Sequence, residues 1–143
     1  MNETKKVIAV LLLLAICLSL LPSCGKSELS IDGMEFTFLH ARKGDKLFVV
    51  ACAGAIADKH NGAKVLDYTL TAENKTLTIT GEDGTHTGSY KVSERFEESV
   101  LYEINIGAEP GFASISEKTN EDGTVEYTLV LSVRGYRVTF VAN

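Results

Sequence analysis

The chain has 143 residues, of which 45% are apolar and 23% charged, and its formal net charge is −5 at pH 7. This length suits one globular domain, and the composition lacks the bias of disordered, collagen-like or disulfide-rich proteins. An acidic surface is repelled by phosphate backbones. We therefore expect no nucleic-acid partner.

The first 23 residues have the layout of a cleavable export signal. Lys5 and Lys6 precede an uncharged stretch, VIAVLLLLAICLSLL, at residues 7–21. This stretch is shorter than the roughly 20 residues that a membrane-spanning helix needs. We therefore interpret residues 1–23 as a signal peptide that is removed from the mature protein.

The residues at the end of this signal resemble the lipobox of bacterial lipoproteins. Leu21, Pro22, Ser23 and Cys24 follow its order of an aliphatic residue, a variable residue, a small residue and the cysteine. The resemblance implies that Cys24 is lipidated through a thioether, that the chain is cleaved before it, and that the new amino terminus is acylated. A plain secretory signal and an uncleaved anchor remain as alternatives.

Lipidation at Cys24 implies an extracytoplasmic protein held on a membrane by its acyl chains, since two or more chains anchor stably. The membrane is the cell membrane, or the outer membrane if the host has two. By analogy with other lipoproteins, Gly25 after the cysteine favours the outer membrane. Residues 24–30 then form a lipidated tether of at most about 20 Å, followed by one β-rich domain at residues 31–143.

Within this domain, apolar and polar residues mostly alternate, which is typical of half-buried strands. The C-terminal hairpin is the sharpest case. If Arg134–Gly135 is a two-residue loop, Leu131 faces Val138 and Leu129 faces Phe140, so that apolar pairs share one face. The agreement of turn and pattern predicts the register of these strands.

A second hairpin is predicted in the middle of the domain. With Asp83–Gly84 as its loop, Leu77 opposes Tyr90 and Ile79 opposes Gly88. Asp-Gly is a favoured hairpin turn, so we interpret the carboxylate as turn chemistry rather than as a binding site.

Residues 46–60, KLFVVACAGAIADKH, break the alternation. Asp45 suits a helix N-cap, and Lys59 and His60 suit a helix C-terminus. We therefore predict one helix here, although Phe48–Val50 favours a strand at its start.

The predicted order is one strand, one helix and about seven further strands, with other turns at Asn74–Lys75 and Asp122–Gly123. The fold class is therefore mainly β: an antiparallel up-and-down meander or a small closed barrel of about eight strands, with one helix after the first strand. This order, with KTLTITGEDGTHTGSYKV as a central hairpin, resembles barrels of the lipocalin and fatty-acid-binding type. The resemblance favours the barrel and assigns no ligand.

The sequence holds no motif for catalysis, a cofactor or a metal. A nucleophile elbow, a phosphate-binding glycine loop, a Cys-x-x-Cys pair and an EF-hand loop are all missing. His40, His60 and His86 are widely spaced, and Cys52 is the only cysteine left after Cys24 is lipidated. We expect no enzyme activity, no cofactor and no metal.

Eight aromatic residues fall on the predicted inward face. They are Phe36, Phe38, Tyr68, Tyr90, Tyr102, Tyr127, Tyr136 and Phe140. In an open barrel these side chains would line a pocket for an apolar ligand, and in a filled barrel they are simply core. Without a cofactor motif, core packing is the simpler interpretation of each residue.

Two functions follow from these alternatives. The first is a non-enzymatic, membrane-anchored lipoprotein that binds a small apolar ligand or a lipid in a lipocalin-like manner. The second is a protein–protein interaction or inhibitor module of the cell envelope with a solid core. The two hypotheses differ in whether the inside of the barrel is hollow.

Overall fold

The structure is a computed structural model that describes residues 28–51 and 63–143. Cys24 and the signal peptide lie outside these residues. The described residues form ten β-strands and no helix. The strands are β1 (Met34–Lys43), β2 (Lys46–Val50), β3 (Lys64–Val65), β4 (Tyr68–Glu73), β5 (Thr76–Gly81), β6 (Gly84–Arg95), β7 (Ser99–Ile106), β8 (Glu109–Thr119), β9 (Val125–Val133) and β10 (Tyr136–Ala142).

Eight of these strands close into an antiparallel barrel. Strands β4 to β10 each pair with the next, and β1 completes the ring by pairing with β4 through Met34–Thr37 and with β10 through Thr37–Lys43. Strands β2 and β3 lie outside this ring: β2 pairs with the second half of β1, and β3 pairs with β2. The prediction of a closed barrel of about eight strands is confirmed.

The C-terminal hairpin has the predicted register, with every expected pair between β9 and β10 in place. Its loop residues, Arg134 and Gly135, have φ angles of 53° and 77°. Both angles are positive, as a type I′ turn requires. The turn at Asn74–Lys75 has the same signature, with φ angles of 49° and 63°.

The central hairpin corrects the predicted register. Its loop is Glu82–Asp83 rather than Asp83–Gly84, and Leu77 pairs with Gly88. Only Gly84 has a positive φ in this loop, at 121°. A type I′ turn at Asp83–Gly84 would need a positive φ at both residues, and a type II′ turn would need one at Asp83. The shift moves each pairing by two residues, so every side chain keeps its predicted face.

The predicted helix at residues 46–60 is wrong at its start, because Lys46–Val50 forms strand β2. A tight turn at Gly44–Asp45 folds this strand back on β1, and the aromatic and β-branched residues at 48–50 suit a strand better than a helix. The remainder of the predicted helix, residues 52–60, lies outside the described residues.

The two ends of the barrel differ in how they are filled. We call the end where β1 begins the base, and the end that carries the turns at residues 82–83, 107–108 and 134–135 the mouth. The interior nearer the base is packed with side chains that are at most 1% exposed. They include Ile31, Phe36, Leu70, Leu77, Tyr102, Ile115 and Leu129. This end of the barrel is a solid core.

The residues that precede β1 seal the base. Ile31 is fully buried, and its backbone N–H donates a hydrogen bond of 3.2 Å to the Tyr102 hydroxyl. Beside it, the Tyr90 hydroxyl donates to the Asp32 carboxylate. Each buried polar group therefore has a partner where the chain enters the barrel.

Arg95 contacts the chain just before Ile31, at Glu28 and Leu29. Its Nη1 donates a 3.0 Å hydrogen bond to the Leu29 carbonyl, and its Nε forms an ion pair with the Glu28 carboxylate at 3.0 Å. The described part of the predicted tether therefore lies against the base of the barrel.

The contact between Tyr90 and Asp32 predicts a loss of stability in alkali. Burial and the hydrogen bond to Asp32 raise the pKa of Tyr90 well above its usual value. The unfolded chain ionises this phenol near pH 10 and the folded chain does not, so the stabilisation is complete below about pH 10 and is lost as the pH rises further. We expect Tyr90 alone to lower the free energy of unfolding by about 1.4 kcal/mol per pH unit above that point.

Urea unfolding between pH 8 and pH 11 measures this slope. Tyr90→Phe should remove the share of the slope that belongs to Tyr90. An identical slope in the variant and the wild type would contradict the assignment.

Candidate ligand cavity at the barrel mouth

The mouth half of the barrel holds an open cavity of about 370 Å³. Its walls are mostly apolar, and the apolar lining comes from six of the eight barrel strands and from β2. The apolar lining residues are Phe38, Ala41, Val49, Tyr68, Ile79, Ile106, Leu131, Val133, Tyr136, Val138 and Phe140. A concave, largely apolar site with few polar groups is the usual form of a small-molecule site.

Small inward residues reduce the side-chain volume inside the barrel. Ala41 lines the cavity, while Gly88 and Gly111 occupy inward positions of β6 and β8 without contributing a side chain. A Cβ at Gly88 would lie 2.4 Å from the Asn105 carbonyl oxygen, and one at Gly111 would lie 2.4 Å from that of Ser132. The strands approach too closely there for any side chain.

Aromatic rings form the floor of the cavity. The Phe38 ring lies edge-on to Tyr68, with centroids 5.4 Å apart, and edge-on to Phe140, with centroids 5.7 Å apart. Phe38 and Phe140 are 2% and 1% exposed. Edge-to-face contact is a favourable arrangement for aromatic rings, and it stabilises the floor of the cavity.

The side chains of Tyr68, Asp83 and His86 place polar groups on one side of the rim. The Tyr68 hydroxyl donates a 3.1 Å hydrogen bond to Asp83, whose carboxylate also lies 3.9 Å from His86 Nε2. Burial and this hydrogen bond raise the pKa of Tyr68. The phenol is therefore a neutral donor at neutral pH, and the carboxylate beside it can accept a further hydrogen bond from a ligand.

An ion pair between Arg134 and Glu109 lies on another side of the rim. Arg134 donates to the Glu109 carboxylate, and this bond raises the pKa of the guanidinium. Both residues border the cavity. The rim therefore offers charged and hydrogen-bonding groups above an apolar floor, an arrangement that suits an amphiphilic molecule.

The structure divides the eight aromatic residues predicted to face inward. Four of them line the cavity, namely Phe38, Tyr68, Tyr136 and Phe140. The other four, Phe36, Tyr90, Tyr102 and Tyr127, belong to the core or pack against it. Only the first four border this cavity, and two of them, Phe38 and Phe140, also belong to the core.

No family model, curated protein or solved structure matches this chain. Any function assigned to the barrel therefore depends on its geometry.

Sequence reasoning missed the rim. The sequence interpretation assigns Asp83, His86 and Arg134 to hairpins, as structural residues, and assigns no role to Glu109. The signal available was their position, since all four lie within three residues of turns that an up-and-down barrel brings to one end. To predict that these four residues lie at the same end, one would need to know the number of strands and their registers.

Of the remaining sequence candidates, the structure describes His40 and His86. His40 lies on β1 and His86 on β6, and Cys52 and His60 lie outside the described residues. Among residues 28–51 and 63–143, no three His, Cys, Asp or Glu side chains are grouped so as to hold a metal ion. The same part of the chain contains no helix long and apolar enough to cross a membrane.

Proposed function

We propose that this protein is a non-enzymatic lipoprotein of the cell envelope, held on a membrane by acyl chains on Cys24, whose barrel binds a compact apolar ligand. The observation that carries the ligand-binding part is the unequal filling of the barrel. Its base is packed solid, yet its mouth keeps an apolar cavity of about 370 Å³. The lipobox-like residues around Cys24 carry the anchoring part.

The size of the cavity limits the ligand. Ligand sites for drug-sized molecules span roughly 300–1,000 Å³, so this one is at the small end of the range. A single compact ring system or a short chain suits it better than a two-chain phospholipid. Removal of the apolar part of the ligand from water supplies the affinity, and the rim groups orient its polar end.

The alternative, an interaction or inhibitor module, was tied to a solid core. An apolar cavity that water must occupy in the absence of a ligand favours the binding function over that alternative. A purified domain that takes up no apolar probe would reverse this preference.

The binding function is tested with a fluorescent apolar probe, N-phenyl-1-naphthylamine. The mature chain with Cys24→Ser is titrated with the probe, and emission is followed as the probe leaves water. We expect a saturable rise with one probe per chain and release of the probe by competing small amphiphiles. A rise that is linear in probe concentration would count against a defined site.

The anchoring function is tested by lipid labelling in a bacterial host. The wild-type chain is expected to incorporate radiolabelled palmitate and to sediment with membranes, whereas Cys24→Ala should lose the label and remain as uncleaved precursor. Cys52→Ala is the matched control, because it removes the other cysteine of the mature chain and should keep the label. Label retained in Cys24→Ala would contradict the assignment.

A further inference from the structure

The chain enters the barrel at the end opposite the cavity. Ile31 is fully buried at the base, and Arg95 fixes the backbone at Leu29. The cavity, in contrast, is bordered by Asp83 and Arg134, which lie in the turns of the mouth. The attachment point and the opening are therefore at opposite ends of one rigid barrel.

The length of chain between the anchor and the base is short. Three residues lie between Cys24 and Glu28, which Arg95 holds at 3.0 Å. The four residue-to-residue steps from Cys24 to Glu28 reach about 14 Å at most. Strand β7 spans the barrel with eight residues, about 26 Å along the strand and about 20 Å along the axis of a tilted barrel. A tether this short keeps the base near the bilayer, and the mouth must then lie farther out.

We propose that the mouth of the barrel faces away from the membrane, so that the cavity takes a compact amphiphile from the aqueous phase and does not draw a lipid from the bilayer beneath it. This inference rests on the proposed function, both the lipidation of Cys24 and ligand binding at the mouth. The acidic charge favours the same orientation. The whole chain carries −5, and the mature chain is more negative because Glu3, Lys5 and Lys6 leave with the signal peptide. This charge disfavours laying the side of the barrel on an anionic membrane.

Two labels at opposite ends of β7 test the orientation. Glu98→Cys places a donor dye in the exposed turn at the base, and Ala108→Cys places it in the exposed turn at the mouth, each in a Cys52→Ala background. The full lipidated protein is reconstituted into vesicles of phosphatidylcholine and phosphatidylglycerol that contain an acceptor-labelled lipid. We expect clearly stronger energy transfer from the dye at position 98 than from the dye at position 108.

The source of the ligand is tested on the same vesicles. With pyrene-labelled phospholipid in the bilayer, the anchored protein should leave excimer emission unchanged, because no lipid is extracted. A fall in excimer emission would show that the cavity is loaded from the membrane and would overturn the inference.

The outcomes separate this inference from the proposed function. Protein that fails to float with vesicles refutes the anchoring, and with it the orientation. Protein that floats but shows equal transfer from both labels, or stronger transfer from position 108, overturns the orientation alone. Absence of probe binding in the purified domain refutes ligand binding while the two labels still report which end faces the membrane.

Discussion

Val138→Trp is expected to weaken binding of N-phenyl-1-naphthylamine by at least about tenfold, which corresponds to 1.4 kcal/mol. Val138 is half-buried on β10 and lines the cavity opposite Ala41 of β1. An indole at this position occupies space that the probe would need. Because the cavity is open toward solvent, the larger side chain can be accommodated there without the strain of an overpacked core.

The matched control for this variant is Val141→Trp. Val141 lies on the same strand but on the other face, paired with Thr37 and Thr128 outside the barrel. We expect this variant to bind the probe as the wild type does. Equal affinity in Val138→Trp and Val141→Trp would show that the probe binds somewhere other than the cavity, and circular dichroism should establish that both variants are folded.

Phe36→Ala is expected to lower the free energy of unfolding by about 3–5 kcal/mol. Phe36 is fully buried in the solid half of the barrel, and its strand pairing places it against Leu70. Removing the ring forfeits its transfer from water and leaves a void that the surrounding barrel can fill only in part. Urea unfolding followed by circular dichroism measures the change.

Phe112→Ala supplies the same chemical change at an exposed position. The Phe112 side chain is 52% exposed on the outside of β8. We expect this substitution to cost about 1 kcal/mol or less. Similar losses for the two variants would mean that the interior near Phe36 is not the solid core described above.

The C-terminal hairpin shows how far local sequence could lead. Arg134–Gly135 supplies the positive φ angles of its turn, and the alternating residues on both sides allow only one register that buries them together. Turn chemistry and pattern agree over a short stretch of chain, so the prediction needs no information from elsewhere in the fold.

The central hairpin and the predicted helix show where local signals fail. Asp83–Gly84 looks like a two-residue turn, yet the chain turns one residue earlier and uses Gly84 as the residue with positive φ. Lys46–Val50 forms a strand because β1 continues beyond its pairing with β4 and offers a free edge. Neither choice can be read from the segment alone, since each depends on a neighbouring strand.

The sequence by itself determined the mainly β class of this protein. The alternation of apolar residues and the hairpin turns were sufficient for about eight antiparallel strands, as a meander or a closed barrel, and the residues around Cys24 were sufficient to predict a lipid anchor. Only the tertiary structure decided which half of the barrel is filled. The alternating pattern marks a residue as inward-facing, but it does not show which residues from other strands pack against it. Ile31 is buried at one end, and small inward residues leave the other end open. This difference depends on the register of every strand pair in the closed barrel.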